Sequence, residues 1–299
     1  MKAVTTILES NAVLEARDRA PSGCVRVSIL ILANRVQFID RAVRSVLAQD
    51  YQDWELIIVQ DGPSLELECI MREWVRRDGR ILYFPLERVG DIGRLHNFGL
   101  QRACGDYIAI LDDDDYWLVP HKLSRQVAFL DSYPDYVACG GGVLVQDEHG
   151  KELLRYLKPE QDENIKKLAL VANPMAHSST MFRRVIGERL VLYDDALGGL
   201  TDWDFWLKLG RLGKLHNFSE LFTGYTLWRS GVSFARQKKN ASAARRIVWK
   251  HRKVYGFLTP AIAWVLLNYA YAFLPAWIRR RSFAYLACMK KRIFSEPIR

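Results

Sequence analysis

Cysteine is scarce and unorganised in this chain. The five cysteines (Cys24, Cys69, Cys104, Cys139 and Cys288) are scattered over 299 residues, with no Cys-x-x-Cys pair and no Cys/His cluster. That spacing argues against a disulfide framework and a zinc site, and it fits small buried side chains in a reducing cytoplasm. No apolar run follows the basic start, because Glu9, Glu15 and Asp18 interrupt it, so no secretory signal is expected. Glycine (19) and proline (10) are too few for a collagenous or low-complexity chain, and 49% apolar residues exclude disorder. Acid is nearly missing from one end. Residues 236–299 hold 15 of the 43 Lys and Arg but only Glu296 of the 34 acids, which leaves 28 bases and 33 acids before them. The net charge of +9 is therefore a +14 tail on a −5 body, and regions of opposite charge imply different jobs.

The body is regular from Val25 onward. Val27–Leu32, Trp54–Val59, Ile81–Phe84 and Tyr107–Leu111 are apolar runs of strand length. Between them, Phe38–Ala48, Leu65–Arg76 and Gly93–Cys104 carry helical periodicity. Alternation with short connections predicts an α/β fold with a doubly wound, mostly parallel sheet flanked by helices. Further on, Lys122–Leu130 and Asp202–Leu212 look helical, while the glycine-rich Tyr136–Val145 and Phe222–Trp228 look like strands. One or two antiparallel strands in a mixed sheet would accommodate them.

Asp112, Asp113, Asp114 and Asp115 directly follow the strand Tyr107–Leu111. Ligands of open α/β sheets gather at the carboxyl ends of strands, and four adjacent carboxylates there need positive charge. A hard divalent cation, Mg²⁺ or Mn²⁺, supplies it and commonly shares such a site with substrate phosphates. Asp61-Gly62 ends another strand, where its acid could hydrogen-bond a base or ribose. Arg94 lies near a predicted helix N-terminus, where anions are favoured.

These segments resemble the family-2 inverting glycosyltransferases of the GT-A fold. The likeness rests on Val27–Arg35, Ser45–Gln49, Trp54–Val59 with Asp61-Gly62, and Gly105–Ala109 leading into Leu111–Trp117, which resembles the family's metal-binding DxD segment. It runs from about Val25 to Ser233. The resemblance implies that Asn34, Arg35, Asp61, Arg94, Asp112 and Asp113 bind the nucleotide of a nucleotide-diphosphate sugar. Asp114 would hold the metal on the diphosphate. Asp202, in Gly198–Trp206, falls where the family carries its general base, with Thr201 in place of the usual Glu. Asp204, two residues on, cannot share that face of a helix. His177, Trp203 and Arg229 stand as possible substrate contacts. Departures from the family pattern are Leu32-Ala33 for Pro-Thr-Tyr before Asn34-Arg35, Gln60 at an often acidic position, His96 where Arg is common and Ser230 where His is frequent.

In the tail, Val254–Ile278 is 25 residues without a charge. Pro260 and Pro275 bracket only about 15 of these, roughly 22 Å of helix against a hydrocarbon core of about 30 Å. Basic clusters flank both ends (Arg252-Lys253 and Arg279–Arg281), and Arg279–Phe294 pairs apolar with basic residues. This predicts peripheral or monotopic attachment to an anionic membrane surface at the cytoplasmic face. Nucleic acid is not expected, because the aromatics form an apolar block rather than interleaving with charge. The expected organisation is an extension (residues 1–25), a catalytic domain (26–235) and a membrane-associating helical tail (236–299). The sequence implies an enzyme that transfers sugar to a glycan or lipid-linked acceptor. A nucleotidyl- or phosphotransferase with the same acidic site, and a non-catalytic membrane adaptor, are the alternatives.

Overall fold

The structure, a computed structural model, describes residues 25–227 and 237–275, and beyond them only 277–279, 281, 282, 285, 286, 289 and 295. The extension before Val25, and Arg229 with Ser230, lie outside the described residues.

Strand β1 (Val27–Ala33) is central. It pairs in parallel with β2 (Trp54–Asp61) on one side and β4 (Tyr107–Asp112) on the other, and β3 (Ile81–Leu86) extends the sheet beyond β2. Val27, Ile29 and Ile31 face helices α1 (Val36–Leu47) and α2 (Leu65–Arg77), through Ile39, Val43, Met71 and Trp74. Leu30 points the other way, into a cluster with Leu95 of α3 (Ile92–Leu100) and with Phe205 and Trp206. A strand covered on both faces has no polar side, hence its apolar run. Successive strands are laid down on one side of β1 and then, from β4, on the other, so the strand order reverses between β1 and β4, at the switch point where open sheets hold ligands.

Beyond β4 the order continues through β8 (Met181–Arg183), β6 (Tyr136–Asp147), β11 (Lys214–Leu227) and β5 (Tyr116–Trp117), with β7 (Glu152–Tyr156) on the side of β6. A separate hairpin, β9 (Val185–Ile186) with β10 (Arg189–Leu190), follows β8. Three strands, β5, β7 and β8, run against the others. The sequence suggested one or two. β5 and β8, of two and three residues, are too short to show a period. The glycines of β6 have a packing reason: a Cβ on Gly141 would lie 2.4 Å from the Phe222 ring. Helix α4 (Lys122–Ser132) covers the α1 side, and α5 (Asp162–Leu168) and α6 (Thr201–Gly210) cover the rest.

The basic tail begins as part of the body. Helix α7 (Gln237–His251) buries Ala244, Ile247 and Val248 against Trp203 and Leu207 of α6, and Tyr255 donates its hydroxyl to the Leu207 carbonyl at 2.6 Å. Helix α8 (Leu258–Ala272) adds Ala261 and Val265 to the same cluster. Among the described residues, no helix is long and apolar enough to cross a membrane.

Lys122 is fully buried, 4.0 Å from the Trp117 ring centroid, with Nζ donating to Gln126 Oε1 at 2.8 Å. Burial pushes its amine down from 10.5 to about 7. Between those values the unfolded chain holds a proton that the folded one has released, so stability rises with pH across that window and falls toward pH 7. Chemical denaturation of the wild type and Lys122→Met should therefore show the wild type gaining on the variant from pH 7 to pH 10. A pH-independent difference would mean that Lys122 is charged in the fold.

Candidate active site

The loops after β1 and β4 meet at the switch point. Asp113 turns away from solvent and accepts the backbone N–H groups of Asn34 (2.6 Å) and Arg35 (2.7 Å) and Arg35 Nη1 (2.8 Å). Arg35 also reaches Asp114 at 2.9 Å. Burial pushes the Asp113 carboxyl above its ordinary value, opposed by the Arg35 charge and the two amides. Asp115 is buried, accepting from Ser178 Oγ at 2.5 Å and from the Thr226 amide at 3.1 Å. Its carboxyl is driven well above the usual range by desolvation first, then by the negative charges of Asp114 and Asp112. Ser178 Oγ also accepts the Asp112 amide at 3.2 Å. The Asp114 carbonyl is held by Arg41 Nη2 (2.6 Å) and Thr226 Oγ1 (2.7 Å). The four acids are thus dealt in different directions, and part of the positive charge they demand is Arg35.

Asp112 and Asp115 line a cavity of about 490 Å³, closed on other sides by His177, Tyr225, Asn173 and Asp202. Asp202 sits in the first turn of α6, entered through Gly198 and a left-handed Leu200 (φ 51°). A non-glycine residue in that region is strained, a feature that clusters at functional sites. Asn173 Nδ2 donates to Asp202 Oδ2 at 2.6 Å. Asp204, on the other side of α6, is fully buried and meets His251 (2.8 Å), Lys250 (2.9 Å) and Lys208 (3.1 Å). Burial would raise its carboxyl, but those partners outweigh burial and hold it far below the ordinary value. Asp202 faces the cavity; Asp204 anchors the tail.

The other sequence candidates divide. His177 lines the cavity, its Nε2 3.2 Å from Nε2 of His96. His96, with Nδ1 2.9 Å from the Ile92 carbonyl, is pushed down to about 3 by burial and the neighbouring His177, so it is neutral. Trp203 packs in the core and donates Nε1 to the Ala169 carbonyl at 2.7 Å, so its bulk serves α6–α7 packing rather than the cavity. The Asp61 carboxylate accepts the amides of Val89 (2.6 Å) and Gly90 (3.1 Å). Arg94 pairs with Asp195 at 3.2 Å on the surface, in a helix capped by Asp91. Neither is in the wall of the cavity. Residues that sequence reasoning passed over are Tyr156, Asn173, Tyr225 and Asn240, the last from α7. Gly199 makes room for Asn240, whose Oδ1 would lie 2.5 Å from a Cβ there. No periodicity or spacing marks any of the four.

Among the described residues, no three Asp, Glu, His or Cys side chains converge as a metal cluster. The donor set still suits a hard cation that takes one or two carboxylates and completes its shell with water and diphosphate oxygens. Asp112, in the cavity wall, and Asp114, beside it with 11% of its side chain exposed, are the oxygen donors on hand.

Sheet order, crossover point and acid-lined cavity define a GT-A glycosyltransferase fold. Solved structures agree: S. aureus TarS 1-349 in complex with UDP-GlcNAc matches with a TM-score of 0.63 at 16% identity, over 87% of this chain and 75% of that one. The mannosyltransferase PcManGT from Pyrobaculum calidifontis, in complex with GDP-Man and Mn²⁺, matches at 0.60 and 17%, over 92% and 86%. Residues 28–190, more than half of the chain, match Glycosyl transferase family 2, and the chain belongs to that family. The amylovoran biosynthesis glycosyltransferase AmsE of Erwinia amylovora is 30% identical over 176 residues, 58% of this chain and 65% of that protein. The match thus spans slightly less than two thirds of the relative's length.

Removing one member of a buried ion cluster leaves the others uncompensated, at a cost of about 3–5 kcal/mol. Asp204→Ala should lower the unfolding free energy by roughly that much, whereas Asp202→Asn should leave it nearly unchanged. Because Asp204 is held below its ordinary value, its contribution is present above about pH 4 and fades below it. Thermal melts from pH 7 to pH 3 should show the gap between wild type and Asp204→Ala closing.

Proposed function

We propose that this chain is a divalent-cation-dependent, inverting glycosyltransferase. It moves a sugar from a nucleotide-diphosphate donor to a hydroxyl of a glycan or lipid-linked acceptor, peripherally attached at the cytoplasmic face of the membrane. The observation that carries this reading is that Asp112, at the end of β4, and Asp202, at the start of α6, face one cavity. A carboxylate that can hold a cation for the leaving diphosphate and a proton acceptor on the same void are what single displacement at an anomeric carbon needs.

In this reading Asn34, Arg35, Asp112 and Asp113 form the nucleotide end, with Asp61 and Arg94 at its outer margin. Asp113 acts through Arg35, whose guanidinium it holds beside the diphosphate position. Mn²⁺ or Mg²⁺ at Asp112 and Asp114 would supply Lewis-acid stabilisation of the departing diphosphate. Asn173 fixes the plane of the Asp202 carboxylate through Oδ2, so that Oδ1 takes the acceptor proton as its oxygen bonds to the anomeric carbon. The bond from that carbon to the diphosphate breaks with its electron pair leaving on phosphate oxygen. His177 and Arg229 remain candidates for substrate contact.

Support for the donor class comes from the neighbours in complex with UDP-GlcNAc and GDP-Man, and for the cation from the Mn²⁺ of the latter. AmsE, a biosynthetic glycosyltransferase of amylovoran, supports a polysaccharide pathway.

Asp202→Asn keeps the shape but accepts no proton. Turnover should fall by roughly 10²–10⁴-fold with nucleotide affinity retained, measured as nucleoside-diphosphate release and by calorimetry. Release of pyrophosphate instead would indicate nucleotidyl transfer. Asp114→Ala removes a cation donor and half of the Arg35 clasp. Turnover and the Mn²⁺-dependent component of nucleotide binding should both disappear; undiminished metal dependence would remove Asp114 from the cation site.

A further inference from the structure

Helix α8 is apolar on every side. Its inner side, Ala261, Val265 and Ala272, is buried. Its outer side presents Ile262, Leu266, Leu267, Tyr269 and Phe273, with Leu266 63% and Leu267 61% exposed. A helix that is hydrophobic all round belongs in an apolar environment, and a scattered exposed Leu differs from a contiguous face of them. Phe257, at the N-terminal end of α8, and Trp277, beyond its C-terminal end, are exposed as well, as is Trp249 of α7 (63%). No charge interrupts it from Val254 to Ile278, and Arg252, Lys253 and Arg279–Arg281 frame it.

We propose that the outer face of α8 is a membrane-binding surface that seats the helix in the plane of a bilayer containing anionic lipids. The inference rests on the transferase reading only for what it delivers, not for the binding itself. Charge complementarity selects the occupant: the frame is cationic, and aromatic residues with basic neighbours suit a headgroup boundary. The in-plane pose follows from packing. Fifteen residues make about 22 Å of helix, short of the hydrocarbon core, and the inner side of α8 is already fixed to α7.

This surface is wired to the cavity. In the first turn of α7, Lys238 lies over the Phe273 ring at 4.8 Å and Gln237 accepts from Arg279 at 2.6 Å, while Asn240 reaches the cavity beside Gly199. One helical turn therefore separates the lipid-facing side from the wall near Asp202. An acceptor headgroup anchored in the membrane reaches that edge of the cavity without leaving the surface.

Sedimentation of the full chain with mixed phosphatidylglycerol–phosphatidylcholine vesicles tests this. Wild type should bind, more weakly as salt rises, and bind pure phosphatidylcholine less. Leu266→Glu with Leu267→Glu should lose about tenfold or more in partitioning, since two apolar side chains that the bilayer would take up become charged. Its thermal midpoint and its nucleoside-diphosphate release with a soluble acceptor should not change, because both positions are exposed and neither lines the cavity. Unchanged vesicle binding by the double variant overturns the proposal. So does a wild type that ignores vesicles but dimerises through this face by light scattering. Absent turnover in both proteins, with vesicle binding lost only in the variant, counts against the transferase reading and leaves the surface standing.

Discussion

The clasp of Asp113 on the loop after β1 is the interaction on which the site depends. One buried carboxylate takes two backbone amides and a guanidinium, all from residues Asn34 and Arg35. Charge-assisted bonds of this kind are about twice as strong as neutral ones. The clasp ties the carboxyl ends of two neighbouring parallel strands, and by turning Asp113 inward it settles where the adjacent acids go. Asp112 is left in the cavity wall, Asp114 shares Arg35, and Asp115 drops into the pocket of Ser178 and Thr226. Without it, four like charges in sequence would have no single arrangement.

Helix α6 repeats the logic with two acids. Asp202 and Asp204 are two residues apart and so occupy different sides. The first is steadied by a neutral amide, Asn173, and faces the void; the second is surrounded by Lys208, Lys250 and His251 and faces the tail. A carboxylate paired with two lysines and a histidine and held far below its ordinary value is a poor base, whereas one held by a single amide retains an oxygen for a proton. The same helix thus carries the proposed chemistry and fastens α7, which links the basic tail mechanically to the reaction edge.

The parallel core was legible because its strands are buried on both faces and its helices keep one apolar stripe, so β1–β4 and α1–α3 appear at nearly their observed bounds. The acid cluster stood out because adjacent carboxylates at a strand end repel one another, but the sequence did not show that Asp113 and Asp115 are spent on buried hydrogen bonds. Illegible were the long-range partners. Arg35 answers Asp113 from 78 residues away, and Lys250 and His251 answer Asp204 from over 45. Nothing local in the sequence reports such pairings, so the charge that Arg35 supplies was ascribed wholly to a cation. Trp203 stood as a possible substrate contact beside a core-packing role, and the sequence could not decide because its partner, the Ala169 carbonyl, belongs to another segment. The division at residue 235 was drawn on charge, and charge says nothing of the apolar side by which α7 joins the core.

The central claim is that Asp202 and the acid-lined pocket act in one displacement, without a covalent sugar–enzyme intermediate. The anomeric configuration of the first transfer product, followed by proton NMR from mixing, tests it most directly. A product whose anomeric centre is inverted relative to the donor sugar is the expected result. A product that retains the donor configuration from the earliest spectra would contradict single displacement and the role given to Asp202.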